Sequence, residues 1–165
     1  MTRALLAALL LAATPRVGDR APDFTLPDTD GVPVTLSTLL RDGPVILAFF
    51  PKAFTPGCTR QNSALRDRYP EIVKKGARVV GISVDDVDTQ RRFKAERRLP
   101  YPLLSDRGGK VAERYAGTMA VFGLARRANF VVGQDGIIVA IFEGDAAIDP
   151  GDAIRACPVR PPGAR

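Results

Sequence analysis

The sequence predicts a single α/β domain, with helices on both faces of a mixed sheet that is parallel at its centre and antiparallel along one side. Three observations carry this expectation. Val45-Ile46-Leu47-Ala48-Phe49-Phe50 and Val79-Val80-Gly81-Ile82-Ser83-Val84 are largely apolar runs of strand length, the pattern of central strands covered on both faces. Between them, from about Cys58 to Lys75, lies a helical stretch bent or broken near Pro70. Farther on, Asn129–Val132 and Ile137–Phe142 flank Gly133-Gln134-Asp135-Gly136, which reads as an antiparallel hairpin.

The remaining elements follow in chain order. Met1-Thr2-Arg3 precede ten consecutive apolar residues, Ala4–Ala13. A ten-residue helix spans about 15 Å, half of a ~30 Å hydrocarbon core, so no membrane span is expected. One Arg before a short apolar stretch ending in Ala12-Ala13 matches a secretory signal. Residues 1–16 are therefore read as a signal or N-terminal extension. An exported, periplasmic or extracellular protein is the favoured reading, and a cytoplasmic one with a packed N-terminal helix is the alternative. The domain proper covers residues 17–157. Phe24–Leu26 and Val32–Thr35 around Asp28-Thr29-Asp30-Gly31 form a small extra hairpin. Ser37 is the expected cap of a short helix that stops at Gly43-Pro44, and Asp88 that of a helix reaching about Arg98. Asp85, Asp86 and Asp88 lack the Gly and Glu of a calcium loop and fit helix capping instead. Lys110–Tyr115 is a shorter helix, and Asp149-Pro150 reads as a cap and first-turn proline of a last one. Residues 158–165 hold three prolines and form an irregular tail.

Composition excludes several chemistries. The chain has 165 residues and no His, which removes Ser-His-Asp hydrolysis, Cys-His proteolysis and histidine metal sites. Two Cys are too few for a disulfide scaffold or a four-Cys zinc site, and no metal is expected. The net charge of +6 leaves a basic, non-enzymatic binding module as the alternative function. Its densest run, Arg91, Arg92, Lys94, Arg97 and Arg98, reads as a solvated helix face without a stacking ladder, so no nucleic-acid partner is expected.

The informative segment is Phe49-Phe50-Pro51-Lys52-Ala53-Phe54-Thr55-Pro56-Gly57-Cys58-Thr59-Arg60-Gln61. It follows the central strand and opens a helix, at the strand edge where α/β sheets place their sites. Cys58 falls in the first helical turn, where free backbone N–H groups and the helix dipole favour a thiolate. A free cysteine is only about 3% thiolate at neutral pH, and one helix end supplies ~1 kcal/mol, so a nucleophile here needs a second cation. The alternative is a buried Cys filling a helix–strand seam.

Pro51, Thr55 and Cys58 match the Pro-x-x-x-Thr-x-x-Cys pattern of peroxiredoxins, and FFPKAFTPGCT resembles the bacterioferritin comigratory protein (PrxQ-like) subgroup. VGDRAPDFTLPDTDG, VVGISVDDVDTQRRF and RRANFVVGQDG are similar to that family too, with Arg127 on its active-site arginine. The resemblance covers about Val17 to Phe142. It implies a thioredoxin-like fold around a mostly five-stranded mixed sheet, and thiol-dependent reduction of hydroperoxides without a cofactor, recycled by thioredoxin or another thiol. A monomer or homodimer is expected. By the same resemblance Cys58 is the peroxidatic nucleophile and Arg127 the second cation. Thr55 orients the peroxide, Pro51 shields the sulfur, and the Gly57 and Cys58 N–H groups bind peroxide oxygen.

Three positions depart from the subgroup. Ser63 stands where a resolving Cys often lies, Gln61 where Glu is common, and Asn129 where Thr is usual. Cys157, in Ala156-Cys157-Pro158, is the only other thiol and the candidate resolving residue, with an incidental thiol in a one-Cys enzyme as the alternative. A dithiol oxidoreductase would need Cys where Thr55 stands, and the chain lacks the Trp that a glutathione peroxidase-like site uses.

Overall fold

A computed structural model describes residues 14–160; residues 1–13, with the apolar segment read as a signal, and residues 161–165 lie outside the described residues. A small hairpin, β1 (Thr25–Pro27) and β2 (Pro33–Thr35), is followed by α1 (Leu36–Leu39) and a 3-10 turn. Then come β3 (Val45–Phe49), α2 (Pro56–Asp67), α3 (Tyr69–Lys74), β4 (Arg78–Ser83) and α4 (Val87–Arg97). The second half runs β5 (Leu103–Ser105), α5 (Lys110–Tyr115), β6 (Thr118–Met119), β7 (Leu124–Ala125), β8 (Ala128–Val132), β9 (Ile138–Glu143), a 3-10 turn (Gly144–Ala147) and α6 (Gly151–Ala156). The main sheet has the order β5-β4-β3-β8-β9. β3 pairs parallel with β4 and antiparallel with β8, and β8 pairs antiparallel with β9. This is the expected five-stranded mixed sheet in a thioredoxin-like fold.

Alternation along β3 builds two cores. Val45, Leu47 and Phe49 join an apolar cluster with Phe24, Tyr115 and Phe130 on one face. Ile46, Ala48 and Phe50 join the other, with Leu65, Phe93 and Ile154 from helices and Tyr101 from the connection before β5. Period-2 side chains buried on both faces require a central strand. The predicted break near Pro70 occurs at Arg68, between α2 and α3, and Pro70 sits in the first turn of α3, where its missing N–H costs nothing.

Three expected caps are displaced by local chemistry. Ser37 lies inside α1, and its N–H is taken by the Asp23 carboxylate at 3.0 Å. Asp86, not Asp88, caps α4, accepting from Thr89 N at 2.7 Å. α6 starts at Gly151 with Pro150 as its cap residue, while Asp149 accepts Gly151 N from one residue farther out. Strand β5 and the small β6–β7 hairpin escape a periodicity reading because they are two or three residues long.

Residues 158–160 carry no regular secondary structure but are held in place by hydrogen bonds. Lys75 Nζ donates to the carbonyl oxygens of Arg155 and Cys157, Arg160 N donates to Lys75 O, and Arg160 Nη1 donates to Asp42 O. Through residue 160 the chain is docked against the entry edge of β3 and β4.

Candidate active site

The segment from Pro51 to Thr55 crosses the exit edge of β3 and delivers Cys58 to the third position of α2. Its shape is fixed from three sides. Phe54 adopts a left-handed φ of 66°, unusual for a bulky residue. Its ring packs edge-on against Phe93 at 5.2 Å, with the Arg92 guanidinium over it at 6.0 Å. Ala53 N donates to the Asp85 carboxylate at 2.7 Å, and Ser83 Oγ donates to the same oxygen at 2.8 Å. Asp85, read from the sequence only as a capping residue, thus pins the loop that carries the cysteine. The signal that could have found it is its place just past the second central strand, at the sheet edge shared with Cys58.

Thr55 is the cap residue of α2, yet its side chain makes no cap hydrogen bond; its hydroxyl donates to Lys52 O at 2.9 Å. The N–H groups of Gly57 and Cys58 therefore have no acceptor among the described residues, and the first helical amide to be bonded is Thr59 N, to Thr55 O. Two free amides and the positive helix end sit at the sulfur, which suits an oxygen anion.

Cys58 is 1% exposed, deeper than its place at a loop edge predicts, and belongs to the helical-side core with Phe50 and Ala53. The seam reading is thus right about burial but incomplete, because a cation reaches the sulfur. Arg127 Nη2 donates to Cys58 Sγ at 3.6 Å and Nη1 donates to Gln61 Oε1 at 2.6 Å. A pocket of about 380 Å³ lined by Pro51, Met119, Arg126, Arg127, Glu143 and Gly144 gives solvent a route to this guanidinium. The structure thus brings Cys58, Arg127 and Gly57 together, with half-buried Pro51 on the pocket wall and Thr55 one turn away. Among the described residues there is no cluster of metal-ligating side chains.

Gly57 is the residue that lets Arg127 in. A Cβ built there would lie 2.7 Å from Arg127 Nη2, the atom that donates to the sulfur. Gly57→Ala keeps the backbone N–H and gains up to ~1 kcal/mol of helix propensity. It should therefore still melt cooperatively, with the helix gain set against any strain on the Arg127–Gln61 bond, while moving the guanidinium off the sulfur. Peroxide consumption is expected to fall, on the order of 10²-fold for a displacement near 1 Å. Parallel melting and peroxide assays check this, and wild-type activity in the variant would refute it.

Cys157 lies elsewhere. It ends α6 beside Lys75, at the entry edge of β3, whereas Cys58 lies past the exit of that strand. The two thiols thus lie toward opposite ends of β3, and no hydrogen bond or disulfide joins them. A disulfide needs Cβ atoms about 4 Å apart. Both cysteines are free and buried. For Cys157 to reach Cys58, the hydrogen-bonded segment from Arg155 to Arg160 would have to leave Lys75 and Asp42.

Residues 17–141 match the model of the AhpC/TSA family. A Mycobacterium tuberculosis protein carrying a peroxiredoxin name is 40% identical over 137 residues, which is 81% of this chain and 89% of that one. Chloroplastic peroxiredoxin Q of Oryza sativa subsp. japonica is 42% identical over 126 residues, covering 76% of this chain and 58% of that longer protein. The crystal structure of peroxidoxin BcpB from Mycobacterium tuberculosis superposes with a TM-score of 0.80 at 39% identity, over 85% of this chain and 94% of that one.

Proposed function

We propose that Cys58 is the attacking sulfur of this chain, which belongs to the AhpC/TSA family and is a thiol-dependent peroxidase. The observation that carries this reading is the contact of Arg127 Nη2 with Cys58 Sγ at 3.6 Å, at a helix start whose amides are unoccupied. The Cys58 thiolate attacks the nearer oxygen of ROOH. An S–O bond forms and the O–O bond breaks; sulfur loses two electrons to the peroxide, and RO⁻ leaves and takes a proton as ROH. Arg127 and the Gly57 and Cys58 N–H groups face the oxygen on which charge develops. The Thr55 hydroxyl, with its hydrogen spent on Lys52 O, keeps lone pairs to accept from the protonated peroxide oxygen. Pro51 limits water at the mouth.

The Cys58 sulfenic acid then needs a thiol. We read the enzyme as one-Cys: an external thiol attacks the sulfenic sulfur, expelling water, and a second thiol displaces the mixed disulfide and restores Cys58. Thioredoxin or a similar donor fits this role. Burial pushes the Cys157 thiol up to about 11, which keeps it protonated and unreactive at neutral pH. Cys157→Ser is expected to cycle at the wild-type rate with the same reductant, and iodoacetamide should label Cys58 well before Cys157 in the native protein. A linked Cys58–Cys157 peptide after one equivalent of peroxide would overturn the one-Cys reading. A mass gain of one oxygen on the Cys58 peptide supports it.

Within the basic run on α4, Arg91 is tied to Asp88 and to Thr29 O, and the Arg92 guanidinium lies over the Phe54 ring. Export is proposed from residues 1–13 and tested by the intact mass of protein from its own source.

A further inference from the structure

Cys58 and Gln61 are three residues apart on α2 and share a helix face, while Arg127 immediately precedes β8 and Asn129 is the second residue of that strand, two positions on. The two pairs interlock. Arg127 donates to Cys58 Sγ and to Gln61 Oε1. Gln61 Nε2 donates to Asn129 Oδ1 at 3.0 Å and to Phe49 O at 3.3 Å, and Asn129 Nδ2 donates to Ala147 O at 2.9 Å. Gln61 and Asn129 are both fully buried. The 3-10 turn that supplies Ala147 also holds the Arg127 main chain, through Gly144 N to Arg127 O at 3.0 Å.

We propose that Gln61 and Asn129 form a neutral amide relay that positions Arg127 on the Cys58 sulfur and anchors it to the Gly144–Ala147 turn. Neither residue touches the peroxide; both act through Arg127. The direction of every bond is forced. Gln61 must present its oxygen to the guanidinium, so its NH₂ points at Asn129, which must accept there and donate onward to a backbone carbonyl. Among the described residues Arg127 has no carboxylate within ion-pair distance; Glu143 shares its pocket wall but is exposed and unbonded to it. The relay thus fixes a flexible cation without a counter-ion, leaving its charge undivided for the sulfur and the leaving oxygen.

A carboxylate at 61 would break this logic. Gln61→Glu still accepts from Arg127, but its second oxygen then faces two other acceptors, Asn129 Oδ1 and Phe49 O. Asn129 could turn its amide to donate, at the cost of setting its carbonyl against Ala147 O. A hydroxyl at 129 donates to a carboxylate without that conflict.

The relay rests on Cys58 being the attacking sulfur, and the test separates the two. Peroxide consumption and alkylation by iodoacetamide are measured for wild type, Gln61→Leu, Gln61→Glu, Asn129→Ser and Gln61→Glu/Asn129→Ser, each below its own melting transition. Gln61→Leu is expected to lower the peroxide rate constant about 10²-fold, the scale of a misplaced catalytic group, while alkylation changes much less. Gln61→Glu should lose about tenfold, and adding Asn129→Ser should restore most of that loss, although Asn129→Ser alone lowers the rate. An unchanged ratio of peroxide to alkylation rate in Gln61→Leu, or additive effects in the Gln61→Glu pair, overturns the relay while leaving Cys58 in place. Should Gln61→Leu fail to fold, the Gln61→Glu pair decides alone. Peroxide consumption surviving in Cys58→Ser would instead remove the reading on which the relay stands.

Discussion

Cys58→Ser is expected to abolish peroxide consumption, by roughly 10³-fold or more, while the protein still melts cooperatively. The rate follows from nucleophile chemistry. A serine hydroxyl at this position has no base to activate it, since the chain has no His, and oxygen cannot form a stable S–OH equivalent. Loss of a nucleophile is felt on the scale of several orders of magnitude. The fold should tolerate the change. Cys58 is 1% exposed in an apolar cluster, so an isosteric hydroxyl costs about 1–3 kcal/mol if it finds no partner. That is a fraction of the ~5–15 kcal/mol stability usual for a domain. Coupled peroxide consumption with a thioredoxin system and a melting curve on the same preparation check both halves. Residual turnover within about tenfold of wild type would remove Cys58 from the reaction.

How far the sequence foretells this site depends on what kind of signal each residue carries. The central strands were legible because burial on both faces writes a continuous apolar run, and Val45–Phe49 is buried throughout. Cys58 was legible because the Pro/Gly-rich loop and helix start are local in the chain. Arg127 was legible only through resemblance: it lies 69 residues from Cys58, and nothing in its own surroundings marks it as other than a surface arginine. Gln61 and Asn129 were noticed as departures, but their mutual bond is a contact across 68 residues that no local pattern encodes. Asp85 was misread for the same reason, its partner Ala53 being 32 residues away. The docking of the tail is not legible, because Lys75 Nζ donates to the Cys157 carbonyl and Arg160 Nη1 to the Asp42 carbonyl, and backbone partners leave no trace in side-chain composition.

Arg127→Met should give the second large loss, about 10²–10³-fold in the rate of reaction with peroxide, the cost of removing one preorganised donor from a developing oxyanion. Methionine keeps the length of the stem and loses the charge, so packing along the pocket wall is retained while the contact at 3.6 Å with Sγ disappears. A stability effect comes with it and must be kept separate. Gln61 Oε1, buried with Arg127 Nη1 at 2.6 Å, is left without its donor, which costs about 1–3 kcal/mol. That penalty lowers the melting temperature but, in a domain of ordinary stability, leaves nearly all molecules folded at assay temperature. The rate loss measured there is therefore chemical. Arg127→Lys separates charge from geometry: an ammonium is a point donor and cannot hold Gln61 and the sulfur with one planar fork. It should fall between wild type and Arg127→Met in peroxide rate. If Arg127→Met reacts with peroxide as fast as wild type, the guanidinium beside Cys58 is a packing feature. If Arg127→Lys matches Arg127→Met, the fork held by Gln61 matters more than the charge it carries.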